Sequence, residues 1–413
     1  MKKSLADGPI ITGLKDKIRL NGNSAAEEFI GDLKAEGSPI VEELQGDSDH
    51  TLVTFIYEES SSVCNNVLLF PKSSTELLTE SYDDCLFNKI ESTNLWYLTY
   101  EVENNIRLSY AYVTNDTRDD SWEVRYKKKE ADRLNKCKKV FRNSQGEISS
   151  QYSYIDMPNA PKEIWAKKIP GVPCGHVEQY WFDSPGLKHK RRIHIYVPHG
   201  YSSEGEPCEY IVFNDGYEYL DVLNAIDTLN NLIASNKIPP TVAVFIESSE
   251  DRHSELKCNA SFCDIICKEL IPWVRDRYNI STNPKKAIIA GYSLGGLTAA
   301  YMGLHYPDVF GNVLSQSGSL WYQPPETGNV PYFCWISDEY KAASKLPLKF
   351  YLNVGILEPE YDMIAPNKAF TETLQSLGYE VTFEMFNSGH DFLYWGETLA
   401  QGLISLHKQH VNS

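Results

Sequence analysis

The chain has 413 residues, of which 42% are hydrophobic and 23% charged, and its formal net charge at pH 7 is −17. This composition is that of a globular protein and excludes a disordered chain, while the length suffices for two domains of ordinary size. The negative charge argues against nucleic acid or an anionic membrane as the main partner, and it means that an anionic substrate would need a local positive pocket. The sequence has no transmembrane stretch and no apolar signal-peptide core, so we expect a cytoplasmic protein.

Nine cysteines are scattered along the chain, without a Cys-x-x-Cys pair. An odd number of dispersed cysteines is typical of free thiols in a reducing compartment. Cys258, Cys263 and Cys267 lie close together in the sequence, but no histidine completes a familiar zinc pattern around them. We therefore expect buried thiols, no metal site and no cofactor.

The first third of the chain has the pattern of an antiparallel β-domain. A loosely held lead of 20 residues and a short amphipathic helix at residues 25–36 are followed by runs of β-branched and aromatic residues. These predicted strands cover residues 52–57, 66–70, 95–102 and 107–113. Because no helices alternate with them, we predict a small antiparallel β-sandwich over residues 1–155.

The sandwich offers no catalytic constellation, and we interpret it as a packing or substrate-covering module. Residues 115–160 are polar and irregular. The basic run Lys127–Lys129 is interpreted as a solvated face. Pro158 and Pro161 mark the predicted domain boundary.

From residue 160 to residue 413 the pattern is that of a second, catalytic domain. Residues 177–184 and 191–198 alternate as a hairpin, and buried strands and helices then follow each other to the end of the chain. Predicted strands cover residues 209–216, 241–249, 287–290, 312–319, 348–355 and 380–386, and predicted helices cover residues 225–234, 261–278, 297–305, 367–377 and 395–408. This alternation predicts an α/β fold with a mostly parallel, doubly wound sheet.

The most informative stretch of this domain is Gly-Tyr-Ser-Leu-Gly at residues 291–295, between a buried strand and a helix. This is the G-x-S-x-G nucleophile elbow in its structural context, which predicts an α/β-hydrolase. A serine on so sharp a turn needs small neighbours, which Gly291 and Gly295 supply. We predict Ser293 as the nucleophile and the N–H of Leu294 as an oxyanion donor.

The order of the triad in this fold is serine, acid, histidine. His390, just past the last predicted strand, is the predicted general base. The acid is expected after the strand that ends at Gly355, where Glu358, Glu360 and Asp362 are the candidates; Glu358 is nearest the strand end and is the first choice.

The second oxyanion donor is expected from the loop after an earlier strand. The motif Phe-Asn-Asp-Gly-Tyr-Glu-Tyr at residues 213–219 fits this place. We predict the N–H of Gly216 or Tyr217 as the donor, with a plain Asn-Asp-Gly turn as the alternative.

Several motifs of the second domain resemble the enterochelin esterases, siderophore esterases within the esterase D-like α/β hydrolases. They are FNDGYEY at 213–219, DRHSELKCNASF at 251–262, the elbow with its helix, VGILEP at 354–359 and SGHDFLYW at 388–395. The first domain also resembles that family's N-terminal domain, in FIGDLKAEGSPIVE at 29–42 and LFNKIESTNLWYLTYEV at 86–102. The resemblance thus covers nearly the whole chain.

The resemblance implies hydrolysis of the ester bonds of a cyclic tri-catecholate siderophore, with iron present only as part of the substrate. Such a substrate is strongly anionic, and Arg252, in the family's Arg-x-x-Glu-Leu element, is the first candidate for a cationic contact. Arg252 paired with Glu255 one turn later is the alternative. Trp321, Tyr322 and Trp395 are candidates for stacking on the catechol rings, unless they are core residues.

Two further hypotheses remain open at this point. One is a general carboxylesterase or feruloyl-type esterase on the same scaffold, and the other is a non-catalytic binding protein on a hydrolase fold. The ordered Ser293 and His390 argue against the binding protein. The N-terminal domain and Arg252 argue for the siderophore esterase, because a small neutral ester needs neither.

Overall fold

The computed structural model describes residues 2–4, 6–59, 64–71, 82–142, 146–328 and 334–408. By its internal contacts the chain forms two compact units. The N-terminal unit comprises Met1–Lys162 together with Asn387–Leu393, and the C-terminal unit comprises Glu163–Phe386 together with Tyr394–Ser413. The division falls at Lys162/Glu163, a few residues from the boundary that the sequence predicted, but the assignment of residues 387–393 to the N-terminal unit differs from that prediction.

The N-terminal unit contains three helices and nine strands among the described residues. The helices are α1 (Pro9–Asn21), α2 (Ser24–Glu36) and α3 (Trp122–Lys128). The strands are β1 (Lys2–Lys3), β2 (Ile40–Glu43), β3 (His50–Glu58), β4 (Val67–Pro71), β5 (Asn88–Lys89), β6 (Leu95–Glu103), β7 (Arg107–Thr114), β8 (Lys138–Arg142) and β9 (Ile148–Asp156).

These strands form two antiparallel sheets. One has the order β1-β6-β3-β2 with β5 added on β6, and the other has the order β4-β7-β9-β8. Phe55 of β3 and Tyr110 of β7 meet edge to face between the sheets, with ring centroids 4.7 Å apart. The predicted antiparallel sandwich is confirmed.

Two parts of this unit differ from the sequence-based expectation. The lead of 20 residues, expected to be loosely held, forms α1, which buries Ile11 and Leu14 in a core shared with α2. Residues 115–160, expected to be irregular, contain α3 and two strands. The sequences of β8 and β9 do not alternate strictly between apolar and polar residues, because only part of one face of this hairpin is buried.

The C-terminal unit follows the predicted alternation closely. Its strands are β10 (His176–Phe182), β11 (Arg191–Val197), β12 (Glu209–Phe213), β13 (Thr241–Ile246), β14 (Ala287–Tyr292), β15 (Asn312–Gln316), β16 (Lys349–Gly355) and β17 (Glu380–Phe386). Its helices are α4 (Gly216–Asp221), α5 (Ala225–Ala234), α6 (Arg252–Glu255), α7 (Ala260–Ile265), α8 (Ile271–Arg275), α9 (Leu294–His305), α10 (Trp335–Ala342), α11 (Ala365–Ser376) and α12 (Trp395–His407), with π-helical turns at Ile266–Leu270 and Glu360–Ile364.

The eight strands form one sheet in the order β10-β11-β13-β12-β14-β15-β16-β17. β10, β11 and β13 pair antiparallel, and all pairs from β13 through β17 are parallel. Strands β12, β13 and β14 are apolar over most of their length, and together with the more polar β15 they are buried at almost every residue, as parallel strands covered by helices must be. This is the predicted α/β-hydrolase architecture, and it brings the carboxyl ends of the parallel strands to one edge of the sheet.

Candidate active site

Ser293 lies on the turn that joins β14 to α9, in a strained backbone conformation. Its φ is 54° and its ψ is −123°, a region that residues other than glycine rarely adopt. The Ser293 N–H donates to the carbonyl of Gln316 at 2.9 Å, and its carbonyl accepts from the N–H of Ser319 at 2.9 Å. Bonds to Gln316, the last residue of β15, and to Ser319 beyond it therefore hold the predicted nucleophile in place.

The glycines around Ser293 are required by space. A Cβ on Gly291 would meet the backbone of Gly295, and a Cβ on Gly296 would lie 2.6 Å from Ser315 Oγ and 3.1 Å from the Cα of Gly318. The strand and the helix could not approach this closely with larger residues.

The hydroxyl of Ser293 lies 3.2 Å from Ser319 Oγ. Leu294 is the first residue of α9, where the backbone N–H has no intrahelical acceptor. The helix N-terminus thus directs a donor and a positive dipole end at the turn that carries Ser293, as expected for one half of an oxyanion hole.

The turn predicted to supply the second donor lies beside this elbow. Asn214 Nδ2 donates to the carbonyl of Gly295 at 3.2 Å, and Asp215 follows in the left-handed conformation with φ 57°. Gly216 then begins α4 and packs against β13, where a Cβ would lie 2.5 Å from the Ile246 nitrogen. The N–H groups of Gly216 and Tyr217 stay the predicted second donors.

Arg252 is engaged differently from either expectation of the sequence. Its Nε and Nη2 donate to the two carboxylate oxygens of Asp215, each at 2.6 Å. The alternative pairing with Glu255 is wrong, because Glu255 pairs with Arg191 at 2.6 Å. The guanidinium also lies over the ring of Tyr292, 5.7 Å from its centroid. Arg252 therefore anchors the turn that carries Gly216 and Tyr217.

Next to this ion pair, the carboxyl of Glu218 has a raised pKa. Burial and the neighbouring charge of Asp215 raise the pKa of the Glu218 carboxyl to about 7, against the nearby positive charge of Arg252. Its Oε2 is buried and makes no hydrogen bond within the described part of the chain. A carboxyl that titrates near neutrality thus lies close to the predicted oxyanion turn.

Of the three candidate acids, Glu358 is the one that the structure places at the strand end. Glu358 is 2% exposed and accepts hydrogen bonds from the N–H of Gly355, at 2.8 Å, and from Ser317 Oγ. Glu360 and Asp362 are exposed on the π-helical turn that follows. A triad acid is buried and fixed by hydrogen bonds, so the geometry supports Glu358.

His390 is half-buried in the segment 387–393, which belongs to the N-terminal unit by its contacts. This segment is bonded to β7: the N–H of Arg107 donates to the carbonyl of Asn387 at 3.0 Å, and Ser388 Oγ donates to the carbonyl of Arg107 at 3.1 Å. The loop expected to carry the general base is thus fixed by a strand of the sandwich.

The aromatic candidates for ring stacking divide into two groups. Trp395 is 1% exposed, stacks on Tyr292 at 4.7 Å and donates from Nε1 to Ser317 Oγ at 3.0 Å. It is a core residue, and the prediction that it stacks on the substrate is wrong. Trp321 is 42% exposed, and Tyr322 is partly exposed with Lys257 Nζ 5.7 Å from its ring centroid. These two follow Ser319 and Leu320 in the sequence and stay candidates.

Sequence reasoning missed Asp215, Ser317 and Ser319. Ser317 also has a positive φ, 46°, and no sequence signal marks a serine in that conformation. Asp215 had a signal, because it lies inside the FNDGYEY motif.

All nine cysteines lie in described parts of the chain and are free thiols. Within the described residues there is no cluster of three or more metal-ligating side chains, and none of the helices found there has the length and apolarity that crossing a membrane requires.

Comparison with known proteins identifies the family of this chain. Residues 184–406 match the family model of the putative esterases, and residues 52–166 match that of the enterochelin esterase N-terminal domain. The iron(III) enterobactin esterase of Escherichia coli K12 is 30% identical over 337 residues, which are 77% of this chain and 80% of that protein. The chain belongs to the enterochelin esterase family.

Solved structures of enterochelin esterases extend the match over the whole fold. The enterobactin esterase of Shigella flexneri, crystallised in the presence of enterobactin, is 26% identical with a TM-score of 0.73 and covers 90% of this chain and 96% of its own. The same enzyme in the presence of 2,3-dihydroxy-N-benzoyl-glycine is 27% identical with a TM-score of 0.72, over 91% and 98% of the two chains. Both units of this chain therefore have counterparts in the solved enterobactin esterase structures.

Proposed function

We propose that this protein is a serine esterase that hydrolyses the ester bonds of a tri-catecholate siderophore trilactone and so releases its iron. The observation that carries the proposal is Ser293 on its strained elbow, with Leu294 and the turn at 214–217 beside it, in a chain that matches enterobactin esterases in both units. A general or feruloyl-type carboxylesterase would share the elbow but has no need of the N-terminal unit.

The proposed reaction proceeds by acyl transfer. Ser293 Oγ attacks the ester carbonyl and gives its proton to His390, while the N–H groups of Leu294 and of Gly216 or Tyr217 stabilise the oxyanion. The C–O bond to the leaving alkoxide breaks and His390 returns the proton to it. Water then attacks the acyl-enzyme by the same route, which releases the acid and restores Ser293. Glu358 holds the imidazole in orientation.

Substrate recognition involves aromatic rings and charge in this proposal. Trp321 and Tyr322 are the aromatic candidates of the C-terminal unit, and Lys257 supplies a positive charge beside Tyr322. Arg252 pairs with Asp215 through Nε and Nη2 and stays the candidate cation near the elbow. The reaction needs no cofactor, and iron enters as part of the substrate. Nine free thiols support a cytoplasmic location.

The test is to incubate the purified protein with iron-loaded and iron-free trilactone and to follow the products by chromatography. We expect stepwise appearance of linear trimer, dimer and monomer, and no products with Ser293→Ala. Turnover of a short p-nitrophenyl ester without cleavage of the trilactone would refute the substrate and leave a serine hydrolase of other specificity. Turnover of neither would favour a binding protein.

A further inference from the structure

The N-terminal unit contains a cavity of about 230 Å³ with aromatic walls. Five aromatic side chains line it: Trp122 and Tyr126 of α3, Phe141 of β8, Tyr152 of β9, and Phe392 of the segment 387–393. Sites for drug-sized ligands measure about 300–1,000 Å³, so this cavity is of the size to take a single substituted ring.

The rings of the wall pack against one another. Trp122 stacks on Tyr126 with centroids 4.8 Å apart, and Phe141 meets Phe392 edge to face at 4.9 Å and Tyr152 at 6.2 Å. These separations lie in the range of favourable ring contacts. Trp122 is 41% exposed, so one face of the wall is accessible from solvent.

Polar groups at the cavity favour a ring that carries hydroxyl groups over a plain hydrocarbon. Asp391 lines the cavity and is 2% exposed; it accepts hydrogen bonds from Ser109 Oγ at 2.8 Å, Ser388 Oγ at 3.2 Å and the N–H of Leu393 at 3.0 Å. The hydroxyl of Tyr152 is buried and interacts with the side chain of Tyr126, another residue of the wall. Few polar groups within apolar walls are typical of a small-molecule site.

The charge around the cavity is opposite to that of the whole chain. Residues 125–142 contain nine lysines and arginines and two acidic residues, in a chain of net charge −17. Arg125 and Lys128 pair with Asp116 and Asp120, which lie outside this stretch, so the local excess is five positive charges. Lys139 lines the cavity, and Lys129 Nζ lies 3.5 Å from the ring centroid of Tyr126 and 4.9 Å from that of Tyr152. A local excess of positive charge attracts anionic ligands. The basic run, which the sequence analysis interpreted as a solvated face, could therefore attract an anionic ligand to the cavity.

We propose that this cavity is a subsite that binds one dihydroxybenzoyl ring of the siderophore or of its hydrolysis product. The ligand class, an anionic molecule with flat hydroxylated rings, follows from the aromatic walls, the buried polar groups and the basic surroundings. The choice of this particular ring rests on the proposed function. Phe392 and Leu393 belong to the same segment as His390, so the subsite shares its loop with the expected general base.

The experiment measures binding without turnover, by calorimetry on the full-length Ser293→Ala protein. The ligands are 2,3-dihydroxybenzoylglycine and the iron-free trilactone. In this background we expect Trp122→Ala and Phe141→Ala to weaken binding of both ligands at least about tenfold, as loss of one stacking contact does. Trp181→Ala, which removes a 62% exposed tryptophan of β10, is the matched control and should bind as the parent does. Thermal unfolding verifies that each variant is folded.

The outcomes separate the subsite from the proposed function. Unchanged binding in both cavity variants, or no binding of either ligand by the parent, overturns the subsite. If the active protein does not cleave the trilactone but the glycine conjugate binds with the expected sensitivity to Trp122→Ala, the proposed function fails and the aryl subsite is supported.

Discussion

Among single residues, Arg252 is the one whose pairing, with Asp215, most changes the interpretation drawn from the sequence. If Arg252 contacted the substrate, its loss would affect only anionic substrates. If Arg252 fixes the turn, its loss affects every ester. Both side chains lie within the C-terminal unit, and Asp215 is fully buried. Removing the partner of a buried carboxylate is costly, because the remaining charge is left uncompensated.

We expect Arg252→Ala to lower kcat/KM about 10- to 100-fold on both a short p-nitrophenyl ester and the trilactone, because the turn carrying Gly216 and Tyr217 loses its anchor. Steady-state kinetics on the two esters is the measurement. Arg252→Lys keeps the charge but cannot form the bidentate pair, so it should be impaired as well. Loss confined to the trilactone would instead identify Arg252 as a substrate contact.

Glu218 predicts a pH dependence of stability. Its pKa is raised from 4.5 to about 7 in the folded state, so the folded protein binds more protons than the unfolded chain between these values. Stability from this group is therefore full below pH 4.5 and is lost as the pH rises through 7. Glu218→Gln should stabilise the protein more at pH 8 than at pH 5, by on the order of 1–3 kcal/mol.

Denaturant unfolding of Glu218→Gln and the parent at pH 5 and pH 8 tests this dependence. Glu204→Gln, at an exposed position, is the matched control and should show no such difference. If Glu218→Gln changed the free energy of unfolding equally at the two pH values, the prediction that Glu218 has a raised pKa in the folded state would be wrong.

At the scale of elements, the position of the segment 387–393 could not be predicted from its place in the chain. It follows β17 and precedes α12, yet it bonds to β7 of the sandwich. Ser109 of β7 also donates to Asp391 at 2.8 Å. β7 was predicted correctly, while β8 and β9 were missed because their polar residues lack strict alternation.

We expect Ser109→Ala and Asp391→Asn to lower kcat about tenfold or more with a smaller change in KM, because they free the loop that carries His390. The pH profile of kcat should shift, which a purely structural weakening would not cause. Ser202→Ala, at an exposed loop position, serves as control. A fall in melting temperature without any change in the kcat profile would contradict a positioning role.

At the scale of the whole molecule, the charge is unevenly distributed. The net charge of −17 opposes an anionic substrate, whereas residues 125–142 attract it. Salt screens both the repulsion by the net charge and the attraction by residues 125–142. Whether kcat/KM rises or falls with salt therefore shows which of the two dominates the encounter with the substrate.

We expect kcat/KM for the trilactone to fall several-fold between about 50 mM and about 500 mM salt, while that for a neutral p-nitrophenyl ester stays nearly constant. Kinetics at several salt concentrations provides the measurement. The double variant Lys138→Gln/Lys139→Gln should show a shallower decline. A rate on the trilactone that rises with salt would mean that the net negative charge dominates.

The sequence was enough to predict the alternation of strands and helices in the C-terminal unit, the elbow at Ser293 and the antiparallel sandwich of the N-terminal unit. These features depend on local patterns: buried apolar runs, a Gly-x-Ser-x-Gly turn, and β-rich runs between polar turns. The tertiary structure decided that Arg252 pairs with Asp215, that Trp395 is core, that the segment 387–393 belongs with β7, and that five aromatic residues surround one cavity. Each of these depends on contacts between residues far apart in the chain, which periodicity and spacing along the sequence do not encode.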